Sequence, residues 1–305
     1  MACRRCLPRG ANSARRVLPQ LLLTGVAQGA IYALVALSMT LIYRATTVVN
    51  FGQGDLMMLA AFIVYIGVVL LHADFALAAV VTLIAMVAVG IGIERGLIRP
   101  MRGAPHLALT MMTIAIGTVL RGVARYVWGR EVLPMPAVFD FDPLILGDLV
   151  ITADNIAILG AVFLTFAIFM VLFYATGFGR VIQATYQSER GAALIGANVP
   201  MIRGIMWGMG ALMAGIAGVL VAPVTLLYPD LGANILIRAF AAMTLGGFGS
   251  LPGAVLGGFA LGIMEQVLGA YVSTSLIDIT AYLLIIAVLV LRPAGLLGRR
   301  ATVRV

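Results

Sequence analysis

Leu21–Tyr43, LLLTGVAQGAIYALVALSMTLIY, carries no charged side chain from end to end. A helix needs roughly 20 consecutive apolar residues to cross the hydrocarbon core of a bilayer, so this stretch reads as a membrane span. It follows a basic start, MACRRCLPRGANSARR (Met1–Arg16). A basic start before an apolar run is also the pattern of a signal peptide. Here the run is too long for a signal-peptide core and lacks a clear small-residue cleavage site, so it is read as retained.

The pattern repeats along the chain. Further apolar segments fall at Phe51–Leu71, Phe75–Ile93, Leu107–Trp128, Ile156–Tyr174, Met201–Leu227, Ala233–Phe248, Pro252–Tyr271 and Leu276–Leu291, with Ala233–Phe248 and Leu276–Leu291 short. The fold class is therefore all-α, a polytopic membrane protein of about eight or nine transmembrane helices. Composition agrees. Of 305 residues, 62% are hydrophobic and 10% charged, where a soluble domain has about 25% charged residues. The net charge of +8 comes from arginine alone, since the sequence has no lysine. In a membrane protein such an excess reflects loops facing anionic lipid, and nucleic acid is not an expected partner. Cys3 and Cys6 form a C-x-x-C with no further ligands nearby, because His72 and His106 lie in distant loops, so no metal site is expected.

Loop charge predicts orientation. Glu94–His106 holds Arg95, Arg99 and Arg102 against Glu94. The segment Gly177–Arg203 holds Arg180, Arg190 and Arg203 against Glu189, and the tail after Leu291 holds Arg292, Arg299, Arg300 and Arg304. These belong in the cytoplasm. Gly129–Asn155, with Glu131, Asp140, Asp142, Asp148 and Asp154 against Arg130, belongs outside. Counting back through full spans puts the N-terminus outside, whereas its own arginines argue for inside. Nine crossings with an outside N-terminus are the favoured count. The organisation is then a basic extension over 1–20, a single transmembrane domain over 21–298 and a cytoplasmic tail over 299–305.

Two segments read as broken, near residues 50–55 and 246–253. Asn50-Phe51-Gly-Gln-Gly54-Asp55-Leu56 and Gly246-Gly247-Phe-Gly249-Ser250-Leu-Pro252-Gly253 both carry Phe-Gly before a polar residue, and each follows a Thr-Leu. Glycine-interrupted segments in corresponding halves point to a transport pathway near the bilayer midplane, where irregular backbone must be buried in protein or line a cavity. Asp55 follows Gly54 and can cap a helix start or line the pathway. Glu265 lies inside the eighth segment, where a bare carboxylate is costly; it is expected to pair with Arg238, to be protonated or to lie near an interface. Arg121 and Arg125 share a helix face near the outer end of the fourth span, where their stems can snorkel to water or meet a substrate carboxylate. The methionines (Met57, Met58, Met111, Met112, Met206, Met209, Met213) read as gap fillers between helices. No phosphate-binding loop, zinc-protease motif or nucleophile elbow is present, so neither ATP hydrolysis nor an enzyme site is expected in this chain.

Between the fifth and sixth segments lies GFGRVIQATYQSERGAALIGANVPMIR (Gly177–Arg203). Gly177 and Gly179 are expected to stop one helix, and Gln183–Ile195 to form a short amphipathic helix with Ile182, Ala193, Leu194 and Ile195 towards one side. Gly196–Pro200 should then break it before the next span. The order Gly-Arg-x-x-x-Ala, then Arg-x-Ala-x-x-x-Gly-x-Asn, resembles the ATPase-docking loop of permease subunits of branched-chain amino-acid ABC transporters. Asn50–Met58 is similar to that family's signature at the second span, Arg99-Pro-Met-Arg-Gly103 to its cytoplasmic turn, and Arg292-Pro-Ala-Gly-Leu-Leu-Gly298 to its ending. The run Gly246–Ala254, followed by Gly257-Gly258, matches most strongly.

The resemblance covers about Leu21 to Arg299 and implies a permease like those of type II ABC importers. It implies a coupling loop with Arg180, Glu189, Arg190, Ala193, Gly196 and Asn198, and a pathway supported by the two broken segments. It implies a second homologous permease, two cytoplasmic ATPases that bind the ATP, and a periplasmic solute-binding protein. No cofactor is implied in this chain, and the place implied is a bacterial inner membrane. Branched-chain amino acids are the implied solute class, with urea, other amides, and aromatic or short organic acids as alternatives. An ion-coupled secondary transporter is a competing class, but it should show paired mid-span carboxylates, where this chain offers only Asp55 and Glu265.

Overall fold

The computed structural model describes residues 10–298 apart from 102, 137, 139–142, 147 and 148, with the backbone alone for residues 10–17. The cysteine pair, Asp140, Asp142 and Asp148 of the acidic loop, and the last arginines lie outside the described residues. Eleven helices carry the fold: α1 (Gly10–Thr46), α2 (Gln53–Tyr65), α3 (Phe75–Ile93), α4 (His106–Trp128), α5 (Ala153–Met170), α6 (Gly177–Gln187), α7 (Glu189–Leu194), α8 (Val199–Val221), α9 (Leu231–Gly246), α10 (Leu251–Tyr271) and α11 (Leu276–Leu291). Wide π turns extend α2, α3 and α5. Among the described residues, seven helical stretches are long and apolar enough to cross a bilayer, with α9 and α11 shorter. These match the apolar segments of the sequence. A small antiparallel pair, β1 (Leu144–Leu146) and β2 (Leu149–Ile151), escaped the sequence reading; it is too short to leave a periodic signal.

The bundle has an inner and an outer layer. The apolar windows of α1 and α8 are 67% and 78% buried, while α3, α4 and α5 turn most of their surface outward. Most exposed residues on the outer helices are apolar, for example Ile84, Val119 and Leu164, as a lipid-facing surface requires. The inner helices approach closely because glycines line their contacts. A Cβ at Gly29 would meet the Gly258 carbonyl oxygen at 2.8 Å, and one at Gly25 would meet Ile263 Cα at 2.9 Å, so α1 and α10 pack backbone to backbone. With lipid tails as apolar as the side chains, such packing holds helices together where burial from water cannot. Met57, Met58, Met206 and Met213 fill the interior, whereas Met111 faces outward.

Polar contacts fix which ends lie together. Gln20, early in α1, donates to the Val150 carbonyl and accepts from the Val150 amide, both at 3.0 Å. At the other end of α1, Arg44 Nε donates to the Gly249 carbonyl at 2.6 Å and its guanidinium lies over the Phe173 and Tyr186 rings. The start of α1 thus shares the 129–155 end of the bundle, and its finish shares the 177–203 end. The start of α1 therefore lies on the side of the acidic loop, as counting back through the spans expects.

Candidate functional site

Thr47, in the left-handed region at φ 57°, ends α1. The chain then turns back into the bundle, and α2 starts among the middles of its neighbours. The broken backbone is satisfied there by side chains. Asn50 Oδ1 accepts from the Gly52 amide at 2.9 Å, and Asn50 Nδ2 donates to Gln53 Oε1 at 2.7 Å. Gln53 Nε2 donates to Ser38 Oγ at 2.9 Å and to the Gly210 carbonyl at 3.0 Å. The Phe51 amide donates to Thr113 Oγ1 at 3.2 Å. Helices α1, α4 and α8 therefore supply what water would supply outside the membrane.

Helix α9 starts against α2. A Cβ on Gly54 would fall on the Gly232 carbonyl oxygen, and one on Gly232 would meet the Gly54 carbonyl at 2.5 Å. The partner of the 50–55 break is thus Tyr228–Gly232 rather than 246–253. The second broken segment is instead a tight connection at the 177–203 end. Gly247 and Gly249 take φ of 101° and 77°, and Ser250 Oγ caps α10 by accepting from the Gly253 amide at 3.2 Å, with Pro252 in its first turn. The final strap packs on this turn: the Leu296 and Leu297 amides donate to the Leu245 and Gly246 carbonyls at 2.8 and 3.0 Å.

Asp55 does not cap α2, whose N-cap position, Gly52, has no side-chain cap. Its carboxylate, 1% exposed, faces Arg121 Nε at 3.1 Å. Arg125 Nη2 lies 2.5 Å from Asp230 Oδ1. The two α4 arginines are thus engaged in ion pairs rather than only reaching for water, a correction that needed partners far along the chain. Glu265, 2% exposed, accepts from Arg238 Nε at 3.0 Å and from the Tyr32 hydroxyl at 2.9 Å. Arg238 Nη2 also reaches Asp278 at 3.1 Å. This network ties α1, α9, α10 and α11 together. Removing one member of a buried pair costs about 3–5 kcal/mol because a charge is left uncompensated. Arg238→Ala is therefore expected to lower the thermal midpoint of the purified chain clearly, with Arg238→Met/Glu265→Met recovering most of the loss. Wild-type melting by Arg238→Ala would show that the network does not hold the helices.

The 177–203 segment forms two helices, not one. Gly177 and Gly179 open α6 instead of stopping α5: the Thr176 hydroxyl accepts from the Gly179 amide at 3.1 Å, and a Cβ on Gly179 would collide with the Phe173 carbonyl. Ser188 interrupts the expected Gln183–Ile195 helix and caps α7 through the Gly191 amide at 3.0 Å. Arg203 pairs with Glu189 across the loop, Arg180 and Arg190 are exposed, and Asn198 Oδ1 caps α8 by accepting from the Met201 amide at 3.2 Å. Ile182 is buried, but Ala193 is exposed and Leu194 and Ile195 are 89% and 74% exposed. Gly196 sits at φ 86° with open space around it. The loop thus roots one side in the bundle and leaves an apolar edge uncovered. The rooting is specific. Tyr186 of α6 faces Gly249, whose added Cβ would meet its hydroxyl at 3.0 Å, and the Arg44 guanidinium covers the Tyr186 ring.

A bundle of seven long apolar helices and two shorter ones among the described residues, with two short helices paired at one end, is the architecture of a multi-pass membrane protein. The chain belongs to the family described as branched-chain amino acid transport system / permease component, whose sequence model matches residues 21–291. It is 30% identical over 298 residues to the high-affinity branched-chain amino acid transport system permease protein LivH of Escherichia coli (strain K12), covering 92% of this chain and 95% of that one. It is also 30% identical over 297 residues to the corresponding permease protein BraD of Pseudomonas aeruginosa, with the same coverage. Among solved structures, PsaBC from Streptococcus pneumoniae in complex with Fab aligns over 92% of each chain at 19% identity and a TM-score of 0.42.

Proposed function

We propose that the chain is a permease subunit of an ATP-driven importer in a bacterial inner membrane, carrying branched-chain amino acids or related small organic solutes. A second homologous permease completes the translocation pathway. Two cytoplasmic ATPases bind and hydrolyse the ATP, and a periplasmic solute-binding protein delivers the solute. The chain itself binds no cofactor. The relatives' transport systems support the solute class, and the observation that carries the reading is the α6–α7 unit. Its exposed Leu194 and Ile195 offer an apolar edge of the kind that a groove on a partner covers. Its Tyr186 touches Arg44 and Gly249, at the junction of α1 and α10.

A push on α7 then reaches the inner helices without passing through a flexible linker. Closure of the ATPases would tilt α6, move the Arg44–Gly249 contact, and shift α1 and α10 against α2 and α9. The broken starts of α2 and α9, held by Asn50, Gln53 and the Gly54–Gly232 contact, support the pathway, which opens alternately to the two sides. The test is affinity purification of the tagged chain from its own cells. A second permease and an ABC ATPase are expected to co-purify, and solute uptake by the reconstituted assembly should require ATP. Isolation of the chain alone, with uptake driven by an ion gradient, would overturn the reading in favour of a secondary transporter.

A further inference from the structure

At the 129–155 end, Arg121 and Arg125 lie one helical turn apart on α4, and each faces a carboxylate delivered by a helix start. Asp55 comes from α2 and Asp230 from just before α9. Two acid–base pairs therefore form a ladder along α4. In the inner rung Arg121 Nε lies 3.1 Å from Asp55 Oδ1 without an aligned hydrogen bond, although Asp55 is buried. Asp55 also owes its room to Gly117, where a Cβ would overlap its carboxylate.

Beside the outer rung lies a cavity of about 340 Å³ lined by Arg125, Arg130, Val132, Tyr228, Pro229 and Asp230. That volume suits a small solute, since ligand pockets run from about 300 to 1,000 Å³. Among the described residues its charges are two guanidinium groups and one carboxylate, with Arg125 and Asp230 paired at 2.5 Å so that a zwitterion would insert between them, and an aromatic ring and two aliphatic residues complete the lining. Guanidinium groups match a carboxylate through paired donors, and Asp230 matches an ammonium. We propose that this cavity binds a free α-amino acid with a short apolar side chain as its zwitterion. The carboxylate lies on Arg125 and Arg130, the ammonium on Asp230, and the side chain on Val132, Tyr228 and Pro229. The Asp55–Arg121 rung offers the same two charges one turn deeper. The inference rests on the transport reading for its place in a pathway, but binding here needs neither ATP nor the solute-binding protein.

The test uses the purified permease assembly in nanodiscs, without nucleotide or binding protein. Val132→Cys, in a chain with Cys3→Ser and Cys6→Ser, reports on the cavity through its labelling rate with a membrane-impermeant maleimide. L-Leucine at about 10 mM is expected to slow labelling about fivefold. 4-Methylpentanoate lacks the ammonium and 3-methylbutylamine lacks the carboxylate, and each should slow it less than about twofold, because one charged contact accounts for about tenfold in affinity. Asp230→Asn should abolish protection by leucine. Arg130→Gln, outside the ion pair, should weaken it with the thermal midpoint unchanged. Equal protection by the one-charge compounds, no protection by any of them, or full protection in Arg130→Gln would overturn the site. ATP-driven uptake without protection would remove the site and leave the transport reading standing. Protection in an assembly whose uptake ignores ATP would do the reverse.

Discussion

Gly54→Leu is expected to abolish uptake and to destabilise the bundle by about 3 kcal/mol or more, at the upper end of overpacking costs. The reason is the contact between the starts of α2 and α9. Even a Cβ at Gly54 falls on the Gly232 carbonyl oxygen, and Leu236 Cβ lies 2.8 Å from it. A leucine there must drive the two helices apart, and the hydrogen bonds of Asn50, Gln53 and Thr113 that hold the start of α2 are then lost. Because the contact is structural, assembly should suffer together with uptake. Gly54→Ala gives a graded version of the same clash. Gly122→Ala serves as the control, since Gly122 lies on α4 with nothing within 4 Å and the exchange should leave stability and uptake unchanged. Thermal midpoints in detergent and uptake in proteoliposomes read both effects. Wild-type behaviour of Gly54→Ala and Gly54→Leu together would mean that α2 and α9 do not meet as described.

The second large effect concerns the opposite end. Leu194→Asp/Ile195→Asp is expected to weaken attachment of the ATPase by about 10²–10⁴-fold, since burying each of these side chains contributes about 1.5–3 kcal/mol. Carboxylates in the same place would also have to shed water. Insertion and folding of the chain should be unaffected, because both side chains are already exposed. Co-purification of the ATPase measures the loss. Retention of the ATPase at wild-type level would assign the apolar edge to lipid or to another partner.

The sequence showed the fold where information is local and continuous. Leu21–Tyr43 and the later apolar runs are visible to hydropathy alone, and the structure places helices over them. Depth was not legible. The same Phe-Gly pattern occurs at Asn50–Leu56, among the middles of α1, α4 and α8, and at Gly246–Gly253, at one end under the Leu296–Leu297 strap. Composition does not distinguish these surroundings. The true companion of the first break, Tyr228-Pro-Asp-Leu-Gly232, carries a helix-start signal in Pro-Asp before an apolar run, but it falls in the gap between the Met201–Leu227 and Ala233–Phe248 segments, where it reads as an ordinary connection. Local punctuation was visible but misweighted. Ser188 before Glu189 is a capping signal, yet the periodicity around it ran on as one helix. Gly177 and Gly179 read as a stop because Thr176 was not recognised as a cap.

Charge pairing was legible only in part. Glu265 and Arg238 were named together because each stood out in an apolar span, and they meet at 3.0 Å. Arg121 and Arg125 were placed on one face correctly, but Asp55 and Asp230 come to them from other elements. No spacing rule reaches that far. The Tyr186–Arg44–Gly249 junction is equally non-local, and it links the 177–203 segment to the inner helices.

In the proposed function that link makes the α6–α7 unit the coupling element, and the most direct measurement concerns Ile195. In the isolated chain, Ile195→Cys should label rapidly with a soluble maleimide, as its exposure requires. In the assembled transporter the same cysteine should be shielded, and a short bifunctional reagent should cross-link it to the ATPase with a yield that changes when ATP is added. Rapid labelling of Ile195→Cys in the intact, ATP-hydrolysing assembly, with no cross-link to the ATPase, would contradict the account.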